Sequence, residues 1–139
     1  MAATRSTKPA PHLDDGADEV ADDSQALRLM VRVAFGTHGA LGPGKVRLLE
    51  LIEQHGSITA AAKAMGISYR RAWLLVEGLK QAFRDPVVAT QHGGAKGGGA
   101  GLTPVGREIV ERYRTIERTA RSAVGAQLRG LKRALRNSG

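Results

Sequence analysis

Alternating apolar side chains mark the start of the patterned part of the chain. Leu27, Leu29, Val31, Val33 and Phe35 occupy every second position, and Arg28, Met30, Arg32 and Ala34 stand between them. A period of two that includes β-branched residues predicts a strand with one buried face. Glycine and proline at positions 36 to 44 then predict turns. Residues 1–25 show no such periodicity, and we expect a disordered tail there.

Three stretches with apolar residues at spacings of three and four predict helices between Lys45 and Phe83. The first ends at Gly56, the second is the alanine-rich ITAAAKAM, and the third is YRRAWLLVEGLKQAF. Ser57 and Ser68 suit helix N-caps, and Gly66 suits a left-handed C-terminal residue. Two helices joined by a short glycine-containing turn, after a support helix, have the spacing of a helix-turn-helix. A helical hairpin without a DNA-binding role has the same spacing and stays open.

A short strand and a long helix flank the glycine-rich stretch HGGAKGGGAG at residues 92–101. The strand is predicted at about residues 86–91. The helix is predicted to begin with Thr103 as N-cap and Pro104 at its first position, and to run to about Leu135. Gly125 and Gly130 weaken its last third.

The glycine-rich stretch does not fit a nucleotide-binding loop. Lys96 precedes the last glycines instead of following them, and Leu102 stands where a dinucleotide fingerprint needs its third glycine. A flexible linker is possible for this composition. A β-hairpin is the better interpretation, because structured elements are predicted on both sides. Next to a helix-turn-helix such a hairpin is a wing, whose Lys96 and His92 can meet phosphates.

Charge separates the chain into two parts. The 139 residues carry a net charge of +8, but residues 1–25 hold six acidic and two basic side chains, which leaves +12 for residues 26–139. A domain so basic suggests a polyanion partner, most often nucleic acid. Cysteine is absent, which excludes disulfides, and no apolar run approaches the ~18 residues of a membrane span. The four histidines lack metal-ligand spacing, so we expect no metal site. No Ser/His/Asp set or carboxylate pair stands out either, and we expect no catalysis and no cofactor.

Taken together, these motifs resemble those of a known family. The segments GPGKVRLLELIEQHGSITAAAKAMGISYRRAWLLVEGL and PVVATQHGGAKGGGAGLTPVGREIVERYR closely resemble the N-terminal winged helix-turn-helix domain of ModE-type molybdate-responsive regulators. More distantly, GSITAAAKAMGIS resembles the helix-turn-helix of LysR-type regulators. The similarity covers about residues 26–118. It implies a dimeric bacterial DNA-binding protein that works in the cytoplasm, on the nucleoid.

The resemblance also assigns roles by position. The helix that begins with SYRRAW would enter the major groove, with its recognition residues at Ser68, Tyr69, Arg70 and Arg71. Thr59 and Lys63 would meet phosphates, and Trp73 matches a tryptophan that we assign to packing, as we do Phe83. Lys96 on the wing and Arg107 near its base are further phosphate contacts. The last helix would support dimerisation through Ile109, Tyr113, Ile116 and Ala120.

The expected fold is therefore mainly α with a small β content. It is a winged helix-turn-helix with an N-terminal strand over residues 26–103, the wing lying at about 86–103, and a long C-terminal dimerisation helix over 104–136. ModE regulators usually continue into oxyanion-binding domains, which this sequence does not show, so a molybdate response is not implied. The expected function is a homodimeric, sequence-specific regulator acting on an inverted repeat. A nonspecific architectural DNA-binding protein and a helix-mediated protein-interaction module remain as alternatives.

Overall fold

The computed structural model describes residues 27–91 and 98–136. The tail predicted at residues 1–25, the first part of the glycine-rich stretch with Lys96, and the last three residues lie outside the described residues. The elements follow the order β1 (Val33–Ala34), a 3-10 turn (Gly36–His38), β2 (Ala40–Leu41), α1 (Pro43–His55), α2 (Ile58–Met65), α3 (Tyr69–Ala82), β3 (Val88–Gln91), β4 (Gly99–Leu102), α4 (Pro104–Ala123) and α5 (Gly125–Ala134).

The described elements confirm a mainly α fold with a small β content. Strand β1 pairs antiparallel with β2, and β3 pairs antiparallel with β4, which gives two separate two-stranded sheets in the described ranges. In the second sheet Val88 lies opposite Leu102 and Gln91 lies opposite Gly99. The last part of the glycine-rich stretch is therefore a returning strand, as the wing interpretation predicted.

The predicted N-terminal strand is shorter than its pattern suggested. Its side chains alternate between half-buried and exposed from Leu27 to Phe35, as expected. Only Val33 and Ala34 enter a ladder, because their partner β2 has just two residues before the chain turns into α1. The preceding segment is held instead by the last long helix, where the Tyr113 hydroxyl donates to the Val31 carbonyl oxygen at 2.7 Å.

Helix α1 lies at the centre of the core. Val46 and Leu49 belong to one buried cluster together with Leu79, Val87, Leu102 and Tyr113. Leu48, Leu51 and Ile52 belong to a second cluster, which continues into α2 and α3. Phe83, predicted to pack, borders the first cluster and meets Phe35 edge to face with ring centroids 5.3 Å apart. Helix α1 therefore contributes buried side chains to both clusters.

The helix-turn-helix forms at the predicted residues. Ser57 and Ser68 each accept a backbone N–H of the following helix, from Ala60 and Arg71, at 3.0 Å. Gly66 closes α2 with a positive φ of 77°, which glycine adopts without strain. Small side chains at the crossing permit the close approach of α2 and α3: Ala61, Ala62 and Ala72 are at most 2% exposed.

The C-terminal helical segment is divided in two, and the break lies at the start of the last third, which Gly125 and Gly130 were predicted to weaken. Helix α4 ends at Ala123, and Val124 leaves the helical region with φ −107° and ψ 15° before α5 begins at Gly125. Glycine at this point has low helix propensity. The described residues of α5 also contribute no buried side chain that would hold the two helices in line.

The start of α4 lies directly against the strand that enters the wing. The Val87 carbonyl oxygen accepts the backbone N–H of Thr103 at 3.0 Å, and the Thr103 hydroxyl donates to the Pro86 carbonyl oxygen at 2.7 Å. A Cβ atom added to Gly106 would overlap the Val87 carbonyl oxygen. Glycine at 106 is therefore required by this backbone contact.

A pair of alanine substitutions tests this close approach. We expect Gly106→Ala to lower the free energy of unfolding by about 1–3 kcal/mol, because two backbone segments must separate to admit a methyl group. Gly78→Ala is the matched control, since a Cβ atom there meets nothing within 4 Å. It should raise the free energy of unfolding by about 0.5–1 kcal/mol through helix propensity. Urea unfolding measures both, and equal effects of the two changes would contradict the contact.

Candidate nucleic-acid interface

The N-terminal turn of α3 projects from the domain. Ser68 fixes the start of the helix through its capping bond to the Arg71 N–H. Behind it, Ala72 and Leu79 anchor the helix in the core, at most 1% exposed. Tyr69 is 53% exposed, and Arg70 is exposed beside it, while Arg71 is half-buried. Side chains at such a helix start are well placed to reach the base edges of DNA.

Trp73 does not pack in the core, so the packing assignment made from the sequence is wrong. It belongs to neither buried cluster, and its side chain is 44% exposed. The reason is its place on α3: Ala72 and Val76 face α2, and Trp73 lies beside them, toward the β3–β4 hairpin. Together with Tyr69, one turn earlier, it lines an open groove of about 480 Å³ between the helix and the hairpin.

The predicted phosphate contacts on α2 lie near the same groove. Thr59 is exposed and lines the groove at the start of α2. Lys63 is exposed one turn later on this helix. Thr59, Lys63, Tyr69 and Arg70 thus share the outer side of the helix-turn-helix. Lys96 lies outside the described residues.

A carboxylate that the sequence did not single out holds the base of the hairpin. Glu53 accepts the backbone N–H of Leu102 at 2.8 Å through one oxygen, and its other oxygen lies 3.4 Å from the Arg107 guanidinium. Arg107 also donates to the Leu102 carbonyl oxygen at 3.0 Å. Further along β4, the Ala100 N–H donates to the Gly56 carbonyl oxygen at 2.8 Å. Arg107, predicted as a phosphate contact, is therefore engaged within the chain at the wing base.

A second carboxylate of α1 fixes the last long helix. Glu50 receives two hydrogen bonds from the Arg114 guanidinium, both 2.9 Å long, and Glu117 receives a third at 2.6 Å. The hydrogen bonds to Glu50 raise the pKa of the Arg114 guanidinium above its usual value. Glu117 is only 8% exposed. Glu50 and Glu53 are not simply solvated helix charges, because they bind partners that lie 49 to 64 positions away in the sequence.

The four residues expected at a dimer surface fall into two groups. Tyr113 is 1% exposed and lies in the chain's own core, and Ile109 packs against the same cluster. Ile116 is 44% exposed and Ala120 is half-buried. The apolar line of α4 therefore covers the core in its first half and is open to solvent in its second. Leu131 of α5 and Leu135, the residue directly after α5, are also exposed.

Other kinds of site are not apparent in the described ranges. No group of three or more metal-ligating side chains comes together there. No helix among these residues is both long and apolar enough to cross a bilayer. The concentration of exposed basic and aromatic side chains on the helix-turn-helix is accordingly the leading candidate for a functional surface.

Removing the Glu53 carboxylate should loosen the wing base. In Glu53→Ala the Leu102 N–H loses its acceptor and Arg107 loses its ion pair. We expect faster hydrogen exchange of the Leu102 amide and a loss of about 1 kcal/mol in the free energy of unfolding, since the carboxylate is partly solvated. Gln54→Ala, at the exposed neighbouring position, is the control and should change neither. Unaltered exchange at Leu102 in Glu53→Ala would show that Glu53 does not hold the strand.

The chain is similar in sequence to several known proteins. No family model matches the chain. It is 40% identical to the molybdenum transport protein ModE of Azotobacter vinelandii over 101 residues, which are 71% of this chain and 37% of that protein. It is 40% identical to the molybdenum-pterin-binding protein MopB of Rhodobacter capsulatus over 69% of this chain and 35% of that protein.

A third relative carries a name that describes its activity. The DNA-binding transcriptional dual regulator ModE of Escherichia coli (strain K12) is 38% identical over 71 residues, which are 51% of this chain and 27% of that protein. The chain spans about a third of the length of the curated relatives that it matches over most of its own length. The matches agree with the motifs from which the resemblance was predicted. The winged helix-turn-helix domain of this chain belongs to the ModE family.

Proposed function

We propose that the chain is a DNA-binding transcription regulator that recognises its operator through the N-terminal turn of α3. The observation that carries the proposal is the exposed Tyr69 and Arg70 at the start of a helix whose other side is anchored in the core. The charge of +12 on residues 26–139 supports a polyanion partner. The E. coli relative is named as a DNA-binding transcriptional regulator. In this proposal the protein acts on the nucleoid and catalyses no reaction.

The recognition contacts divide into two chemical kinds. Arg70 reads bases, because a guanidinium can donate two hydrogen bonds to guanine in the major groove. Arg71, Ser68 and Tyr69 complete the recognition turn. Thr59 and Lys63 meet phosphates and set the register of the helix on the duplex. Lys96 belongs to the same set at the wing, and Arg107 acts mainly by holding the wing base.

A homodimer on an inverted repeat is the second part of the proposal. The open half of the apolar line on α4, with Ile116 and Ala120, is a surface that a second copy of the chain can cover. A two-fold dimer presents two recognition helices to half-sites about one helical turn, ~34 Å, apart. Tyr113 and Ile109 support this surface from inside the domain and are no longer proposed as dimer contacts.

Two alanine substitutions separate base reading from phosphate contact. The measured quantity is the difference in binding free energy between a selected operator and a copy of it whose guanines are replaced. We expect Arg70→Ala to reduce this difference by about 1–3 kcal/mol. Lys63→Ala, the comparison, should weaken both duplexes equally and lower the slope of log K against log salt by about 0.9. Fluorescence anisotropy of labelled duplexes over a range of salt concentrations measures both quantities.

The same titrations discriminate against other functions. Equal affinity of the unaltered protein for the operator and for random duplex would replace the proposal with a nonspecific architectural role. No binding to any duplex at low salt, combined with a stable complex with another protein, would favour an interaction module. An Arg70→Ala protein with unchanged discrimination would remove Arg70 from the base-reading set.

The dimer is tested on the open half of α4. Ile116→Glu places a charge on the proposed interface, and we expect it to convert a dimer into a monomer in sedimentation velocity, because burying an unpaired carboxylate is strongly unfavourable. Ser122→Glu, on an exposed position of the same helix away from this line, is the control and should leave the dimer intact. A monomeric unaltered protein, or a dimeric Ile116→Glu, would contradict this surface.

A further inference from the structure

Trp73 and Tyr69 form an exposed aromatic pair, and the contacts proposed above assign no role to Trp73. Their side chains are 44% and 53% exposed, and they stand one helical turn apart on the same side of α3. Both line the groove between α3 and the β3–β4 hairpin. Trp and Tyr combine a large apolar ring with a polar tip, which suits a surface that is partly apolar and partly hydrogen-bonding.

The walls of this groove have a composition that suits an anion. Hydroxyl-bearing side chains stand on both sides, with Ser57 and Thr59 on the α2 side and Thr90 on the hairpin. Ile58 forms an apolar floor, 8% exposed. No carboxylate lines the groove within the described residues. Two exposed basic residues are close to lining residues in the sequence: Arg70 follows Tyr69, and Lys63 lies one helical turn after Thr59.

Carboxylates appear only farther along, where the groove continues past Trp73. Glu77 and Asp85 line that lower part together with Lys80 and Arg84. The two carboxylates and two basic side chains of this lower part offset one another in charge. The upper stretch beside Tyr69 and Trp73 has no carboxylate among its lining residues, so a phosphate chain meets no acidic side chain there.

We infer that this aromatic pair receives one sugar-phosphate strand of duplex DNA, where it passes between the major groove that holds α3 and the minor groove beside the hairpin. The Trp73 ring packs on deoxyribose, and its indole N–H and the Tyr69 hydroxyl donate to phosphate oxygens. The inference rests on the proposed DNA-binding function and adds a class of contact to it. Neither side chain is charged, so the contact adds affinity without releasing counterions and without reading bases.

Tryptophan fluorescence observes this contact directly, because Trp73 is the only tryptophan of the chain. The full-length protein is titrated with a labelled duplex that carries its selected operator, while anisotropy of the label follows binding. We expect the tryptophan emission to shift and the quenching by acrylamide to fall in parallel with the anisotropy. Unchanged emission and quenching on a fully bound duplex would overturn the inference and leave the proposed function standing.

Substitution separates the aromatic contact from the charged ones. Trp73→Ala should weaken binding roughly tenfold through the lost apolar contact, by the same factor for operator and random duplex. Its salt slope should stay that of the unaltered protein, in contrast to Lys63→Ala. Trp73→Phe keeps a ring and should retain most of the affinity. Leu74→Ala is the matched control: the side chain is 48% exposed next to Trp73 but does not line the groove, and binding should not change.

The other outcomes show whether the aromatic contact alone fails or the proposed DNA-binding function fails as well. Loss of sequence preference in Trp73→Ala, or a lowered salt slope, would overturn the backbone contact in favour of a different role for Trp73. Thermal unfolding checks that each variant is folded, and if Trp73→Ala is not, the fluorescence titration and Trp73→Phe decide. Absence of duplex binding by the unaltered protein at low salt would remove the proposed function itself, and the inference with it.

Discussion

The burial of helix α1 is the constraint on which the arrangement of the other elements depends. Val46, Leu48, Leu49 and Ile52 are fully buried, so apolar partners must cover this helix on most of its circumference. One side is covered by α2 and α3, and the other by the hairpin and α4. What remains is a narrow polar stripe, and its two carboxylates stand three residues apart on one face.

These two carboxylates connect the buried helix α1 to α4 and to the base of the β3–β4 hairpin. Glu50 holds α4 through the paired hydrogen bonds of Arg114, and Glu53 holds the last residue of β4. Because α1 also supports the helix-turn-helix, α3 and the base of the β3–β4 hairpin are fixed against the same element. The acidic side chains used in this way, including the buried Glu117, do not face the groove. These carboxylates pair with Arg107 and Arg114 within the chain.

Local chemistry explains which parts of this fold could be predicted from the sequence. Three helices begin with a capping hydroxyl, whose oxygen accepts the backbone N–H of the residue three positions later. These hydrogen bonds are present at Ser57, Ser68 and Thr103. The turn at Gly66 depends on a backbone conformation that glycine favours. The helix-turn-helix and the hairpin could be predicted from such short-range signals, because their elements are joined by short connections.

Features that depend on contacts between residues far apart in the sequence could not be predicted from local signals. An apolar line along α4 shows which residues share a face, but not that the segment around Val31 covers Tyr113 and leaves Ile116 open. Glutamates on a helix look solvated until a partner many positions away is known, as for Glu50 and Glu53. Trp73 looks like a core residue because aromatic side chains usually are. Its exposure depends on where the hairpin runs.

The position of Trp73 gives the proposed complex a property that its charged contacts lack. Ionic contacts weaken together as salt rises, and each of them can form with α3 or the hairpin engaged alone. The groove has one wall from the helix and one from the hairpin, so a strand seated on Trp73 touches both. Apolar burial there is complete only when both elements lie on one duplex. An uncharged aromatic contact at this junction therefore couples the two binding elements, and the rigid attachment of both to α1 makes that coupling effective.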